Sequence, residues 1–316
     1  MALYLVTGGA GFIGSHLAEE LLRRGEQVRV LDNFSTGKRE NIAGLSRPFE
    51  LIEGDIRSYH TVRQAVHQVD FVLHQGALPS VPRSINDPIT TNEVNVGGTL
   101  NLLDAARDAG VKRVVYASSS SVYGANTQVP KREDMTPHPI SPYAVSKLAG
   151  EHYCQVFSRT YGLETVCLRY FNVFGPRQDP QSAYSAFIPK FAAGFIRSQE
   201  LTIDGDGSQS RDFTFVRNVV EANLLAATAP GVSGEVFNIA CGASLSVNEV
   251  AAHLAQLCGA PGRLVHGPAR AGDVPHSLAD IGRASKHLGY EPRIDARQGL
   301  TLVVEWFQAQ FANERQ

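Results

Sequence analysis

Long apolar runs, a charge surplus and paired cysteines are all missing from this 316-residue chain. No stretch approaches the ~18 consecutive apolar residues of a membrane-spanning helix, so no such span is expected. The opening MALYLVTGGAGFIG carries no basic segment ahead of a long apolar stretch. No signal peptide is therefore expected, and the protein is expected in the cytoplasm. Lys plus Arg number 29 and Asp plus Glu 31, a formal charge of −2. A nucleic-acid binder usually carries a basic surplus, so that class is disfavoured. An anionic small molecule needs only a few well-placed cations and stays open. The four cysteines, Cys154, Cys167, Cys241 and Cys258, include no CxxC pair. A chain of this length needs no disulfide staple, so they read as reduced, mostly buried thiols, and no metal site is expected.

Glycine is what the chain has in excess: 29 of 316 residues, against a usual ~7%. In the first half, short apolar runs alternate with helical patterns. Strands are expected over 3–6, 28–31, 51–52, 71–73, 114–117 and 165–169. Helices are expected over 16–24, 61–66, 90–108 and 142–161. Continuous apolar strands alternating with helices predict an α/β, doubly wound parallel sheet. After about residue 175, Pro and Gly become frequent and the rhythm loosens. A smaller, discontinuous C-terminal lobe is expected over 176–213 and 241–316. Residues 1–175 and 214–240 then form the sheet domain, with 213–240 returning to the sheet.

The first strand runs into Gly8-Gly9-Ala10-Gly11-Phe12-Ile13-Gly14. The spacing satisfies both GxGxxG and GxxGxxG. Such a loop gives a tight turn, close backbone approach to a pyrophosphate and a helix N-terminus for it to rest on. Asp32 ends the second strand, near the ~20-residue spacing of an acid that holds a ribose hydroxyl. Asn33 and Phe34 follow it, with no Arg to take a 2′-phosphate. The pattern predicts a Rossmann-type site for NAD rather than NADP. Asp55 closes the third strand and fits two roles, a turn or helix cap, or an adenine contact together with Ile56.

Tyr143 and Lys147 stand at i and i+4, on one helix face. A nearby ammonium, with a cationic nicotinamide, is expected to lower the phenol's pKa and make Tyr143 a usable base. The strand over 114–117 ends in the hydroxyl-rich turn Ser118-Ser119-Ser120-Ser121 at the edge where doubly wound sheets bind ligands. Serines there can donate to a substrate oxygen.

The glycine loop, Asp32, the SSSSVYG turn, YxxxK and Arg169-Tyr-Phe-Asn-Val-Phe-Gly-Pro176, in that order, resemble the extended short-chain dehydrogenase/reductase family. Within it the chain is most similar to the UDP-hexose 4-epimerases, bacterial UDP-N-acetylglucosamine 4-epimerases in particular, from residue 3 to about 306. The resemblance implies Ser119 as the catalytic hydroxyl, Tyr143 as the base beside the cofactor, and Lys147 as the residue that tunes it and holds the nicotinamide ribose. It implies further cofactor contacts at Ser35, Thr36, Gly37, Gln75, Ala77, Asn95, Ser118, Tyr170, Phe171 and Val173. Sugar 4,6-dehydratases carry acids at the positions of Ser120 and Ser121, and related decarboxylases carry Glu at Ser121. Serine at both favours epimerisation through a transient 4-keto sugar, with NAD regenerated each turn.

For the nucleotide sugar, the resemblance implies Asn172, Arg211 and Arg270 on phosphate, and Asp273 on phosphate or ribose. Arg suits oxyanions because its planar fork binds them bidentately. Ser80, Ala186, Phe187 and Thr202 are further implied contacts. Ser277 stands where hexose-restricted relatives tend to carry Tyr, and its small size implies room for an acetamido group. Ala186, where Asn is common, and Gln75-Gly76, where an apolar residue and Ala are common, are departures. The implied substrates are UDP-GlcNAc and UDP-GalNAc, with UDP-glucose and UDP-galactose also admitted. A UDP-uronate 4-epimerase shares the same trio and small residue, an NAD-sensing module would lack turnover, and a dehydrogenase would consume NAD. The helices over 90–108 and 142–161 resemble the pair that forms a four-helix homodimer interface in this family.

Overall fold

The computed structural model describes residues 1–180, 187–259, 263–268 and 275–313. Seven parallel strands form the central sheet: β1 (Leu3–Thr7), β2 (Gln27–Asp32), β3 (Glu50–Glu53), β4 (Phe71–His74), β5 (Arg113–Ser119), β6 (Glu164–Tyr170) and β7 (Glu235–Ile239). Their spatial order is β7-β6-β5-β4-β1-β2-β3. The order reverses between β1 and β4, opening a crevice outside their carboxyl ends. The apolar strands are buried on both faces. The edge strand β3 is largely exposed and carries a glutamate at each end.

Helix α1 (Phe12–Arg23) buries Leu17, Ala18, Leu21 and Leu22 on one face of the sheet, beside α5 (Val216–Thr228). Pairs spaced by four residues make that stripe. On the other face, α2 (Gly98–Asp108) contributes Leu102, Leu103 and Ala106, and α3 (Pro142–Val156) contributes Cys154. Ser141 caps α3 by accepting from the Ala144 amide, and Pro142 fits its first turn, where no N–H is needed. A third cluster joins α4 (Phe187–Ile196), α6 (Val247–Cys258) and α7 (Ala296–Asn313) through Phe191, Phe195, Val250, Leu254, Val303 and Phe307. Residues 282–290 pack on the sheet instead, through Ala284, Leu288 and Tyr290.

The single helix expected over 90–108 is three pieces. Pro88–Asn92 is α-helical, Glu93–Gly97 forms a wider π-type turn, and α2 follows. The widened turn carries the Asn95 side chain into the interior. The helix expected over 142–161 likewise ends in a π-type turn, Phe157–Tyr161, stopped by Gly162 at φ 74°. No helix among the described residues is long and apolar enough to cross a membrane.

Candidate active site

The glycine loop leaves β1 at Gly8, whose φ of 66° needs a residue without Cβ. A Cβ there would lie 2.9 Å from the Gly76 backbone after β4, so the two strand ends close on each other. A Cβ on Gly14 would strike the Gly8 carbonyl. Helix α1 starts at Gly11 with no side-chain cap and no acid in its first turn, leaving backbone donors open toward the loop. These donors and the helix dipole suit a pyrophosphate. Asp32 is buried and accepts from the Ala10 and Phe34 amides at 2.9 and 2.8 Å. Each carboxylate oxygen keeps a lone pair for a hydroxyl. Burial raises its pKa, and those two bonds oppose the rise. Asn33, Ser35 and Thr36 are exposed beside it, and the Gly37 backbone packs against Ala10 and the Asp32 carboxylate. The residues present therefore fit a dinucleotide diphosphate and its ribose.

Asp55 accepts from Asn33 Nδ2 at 2.9 Å and is gripped by Arg57, which holds its carboxyl below the usual range. Ile56 is buried against Gly98. Phe12, Ile13, Ala77 and Val173 are partly buried, and Phe12 and Ile13 pack beside the third cluster.

At the end of β5, Ser119 lies close enough to the Tyr143 phenol to lower its pKa. Lys147 Nζ donates to the Ala117 carbonyl at 2.9 Å and sits 5.9 Å from the Tyr143 ring centroid. One turn further along α3, Glu151 accepts from Ser118 Oγ. Arg169 on β6 neutralises Glu151 through two bonds of 2.9 and 2.8 Å, with both side chains buried. Two successive turns of α3 are thus fastened to Ala117 and Ser118 of β5. Burial lowers Lys147 to about 8. Tyr143 differs from expectation: burial raises its pKa, and only Ser119 opposes the rise. Its lysine partner is turned to a carbonyl, so the phenol's proton is kept until a ligand changes the surroundings. Ser121 Oγ is buried without a partner, an unmet polar atom beside the reactive hydroxyls.

Several implied contacts also have partners within the protein. Asn95 accepts from the Leu78 amide and donates to the Leu78 carbonyl and Ser146 Oγ, bracing that loop while its oxygen keeps one lone pair. Ser118 donates to Glu151. Phe171 lies in the core against the Tyr123 ring. The Tyr170 hydroxyl bonds Asn223 and Gln75. Ser80 caps the short helix Val81–Asn86 by accepting from the Arg83 amide. Each is a polar or aromatic group with a bonding or packing partner within the protein.

Toward the second lobe, Asn172 sits at φ 34° and donates from Nδ2 to the Asp212 carbonyl at 3.2 Å. Arg211 Nη1 donates to the Ser210 and Pro275 carbonyls, and the Ser277 amide donates to Ser210 at 3.0 Å. Asn172, Arg211 and Ser277 are thereby brought to neighbouring positions. The Phe187 ring lies 4.1 Å from that of Phe191, tilted by 41°, and Thr202 is exposed on the strand Leu201–Asp204. Ala186, Arg270 and Asp273 lie outside the described residues. Glu151, Arg169 and Asp212 were given no role from sequence. The continuation of the Tyr143, Lys147 spacing by four more residues was the available signal for Glu151.

A dinucleotide crevice, a Tyr–Lys helix face and a serine turn at one sheet edge define an NAD-dependent enzyme that works on an oxygen-bearing carbon. The model of the NAD dependent epimerase/dehydratase family matches residues 4–240. The UDP-glucose 4-epimerase of Mycolicibacterium smegmatis is 39% identical over 308 residues, covering 96% of this chain and 98% of that protein. The structure of a UDP-glucose 4-epimerase from Thermotoga maritima with UDP-glucose is 39% identical, with a TM-score of 0.93, over 98% of this chain and 99% of that one. That of a UDP-N-acetylglucosamine 4-epimerase from Methanobrevibacter ruminantium, in complex with UDP-N-acetylmuramic acid, gives 37% identity and a TM-score of 0.93 at the same coverages. The chain belongs to the NAD dependent epimerase/dehydratase family; it is an enzyme of the isomerase class and its cofactor is NAD.

Proposed function

We propose that the chain interconverts UDP-GlcNAc and UDP-GalNAc by C4 epimerisation, and also accepts UDP-glucose and UDP-galactose. The observation that carries the sugar preference is Ser277, a small side chain held by its amide against Ser210, next to Arg211. A tyrosine there would fill the space an acetamido group needs. Serine at 120 and 121 supports epimerisation over elimination, because neither can protonate a leaving hydroxyl as an acid would. Bound NAD supplies reversible hydride acceptance. Tyr143 takes and returns the proton of the sugar 4-hydroxyl, Ser119 hydrogen-bonds that oxygen, and Lys147 holds positive charge near the phenol. Asn172, Arg211, Arg270 and Asp273 bind the diphosphate and ribose.

We read residues 1–175 and 214–240 as the cofactor domain, with 282–290 packed on its sheet, and the remainder as the sugar-nucleotide lobe, working in the cytoplasm. A second copy of the chain covers the exposed apolar face of α3 and its neighbours, where Val145 is 53% and Ile89 72% exposed. Single large apolar side chains are common on surfaces, but a cluster on one face marks an interface. Comparing turnover of UDP-GlcNAc, UDP-glucose and UDP-glucuronate tests the substrate reading. Faster turnover of UDP-GlcNAc than of UDP-glucuronate supports it, and the reverse order makes the chain a uronate epimerase.

A further inference from the structure

Asp212 follows the arginine implied in diphosphate binding, yet it does not face the crevice: it is fully buried. Its Oδ1 accepts from the Cys241 amide at 2.8 Å. Its Oδ2 accepts from the Gly242 amide at 3.0 Å and the Ala279 amide at 3.3 Å. Its backbone carbonyl accepts from Asn172 Nδ2. Among the described residues no cation pairs with it, so three backbone donors alone compensate the buried charge, and burial pushes its pKa up to about 6. A buried carboxylate is costly unless its acceptors are filled, so these amides are drawn to fixed positions.

The four bonds gather four separate segments. Asn172 follows β6, Arg211 adjoins Asp212, Cys241 and Gly242 follow β7, and Ala279 ends the segment that carries Ser277. Ser210 and Pro275 exchange the next contact along the same seam, where the Ser210 amide donates at 2.9 Å. The bond to the Asp212 carbonyl also helps hold Asn172 in its left-handed backbone conformation, which costs a non-glycine residue free energy.

We propose that Asp212 is a positioning residue for the nucleotide-diphosphate part of the substrate, setting the spacing of Asn172, Arg211 and the 275–279 segment without touching the ligand. This rests on the reading that these segments face a nucleotide sugar. Asp212→Asn keeps the shape but points an amide donor at backbone donors, which removes one acceptor. With the NAD-bound enzyme, UDP titrated by calorimetry is expected to bind about tenfold more weakly to the variant. KM for UDP-GlcNAc rises by a similar factor, kcat stays near the wild-type value, and retained NAD is unchanged. If the variant does not fold, hydrogen exchange on the wild-type enzyme decides. UDP is then expected to slow exchange at the amides of Cys241, Gly242 and Ala279. Unchanged UDP affinity in the variant, equal loss of NAD and UDP, or exchange at those amides unaffected by UDP overturns the proposal. Failure of the wild-type enzyme to bind UDP at all defeats the nucleotide-sugar reading and this inference with it.

Discussion

Around the glycine loop, partners lie on the same strand or on a strand paired with it. Gly8 to Gly14 form one turn, and Asp32 reaches the Ala10 amide from the adjacent strand across 22 residues. Around Arg211 the order is different. Asp212 collects amides 29, 30 and 67 residues away, and Asn172 comes from another strand end. The cofactor wall is thus fixed by a parallel sheet whose register admits little error. The opposite wall is fixed by loops that meet on one carboxylate. A rigid wall suits a cofactor kept through every turnover, whereas a loop-built wall is where substrate choice can change with few substitutions.

Breaking the chemistry at the junction of the two walls gives the largest effect. Tyr143→Phe is expected to lower kcat by on the order of 10²–10⁴-fold, the span of a lost general base. NAD content measured on the released cofactor stays at the wild-type level, because the phenol oxygen packs no loop. Gly14→Val strikes the rigid wall instead. Its side chain meets the Gly8 carbonyl, so loss of bound NAD and a stability cost of about 1–3 kcal/mol in denaturant melts are expected. Ser277→Tyr probes the loop-built wall. It should reduce kcat/KM for UDP-GlcNAc by roughly 10–100-fold while sparing UDP-glucose, a difference of the size a crowded pocket provides. Equal loss on both substrates would mean that residue 277 does not select the sugar.

The smallest effect lies where the two walls touch. His16 on α1 bonds the Pro176 carbonyl at 3.0 Å. Burial lowers its pKa from 6.5 to about 4. The folded protein therefore favours the neutral ring. That contribution is complete above pH 6.5 and is lost as pH falls through about 4, when the unfolded chain binds the extra proton. His16→Gln should flatten the fall of melting temperature between pH 6.5 and 4, and an unchanged slope would assign that fall to other groups.

Legibility followed the same division. The glycine loop and Asp32 are contiguous with their strands, so spacing alone carried them. Tyr143 and Lys147 share a helix face by simple periodicity. Asn95 and Ser118 carry polar groups of the right type, but no local pattern reveals that they also bond Leu78, Ser146 and Glu151. Asp212 stands in view beside Arg211 in sequence, yet its partners come together only when the sheet ends and the 275–279 segment pack. The π-type turns at Glu93–Gly97 and Phe157–Tyr161 widen helices whose sequence periodicity continues through them, so a single helix was expected in each case.

The central claim is that the enzyme moves a sugar 4-hydroxyl from one face to the other while keeping its own NAD. The direct test incubates the purified protein with UDP-GlcNAc and no added cofactor, following the sugar by proton NMR and the cofactor by absorbance at about 340 nm. The account predicts that UDP-GalNAc accumulates to equilibrium with no growth of NADH. Absence of the 4-epimer from UDP-GlcNAc, UDP-glucose and UDP-glucuronate alike, or NADH rising in step with substrate loss when NAD is supplied, would contradict it.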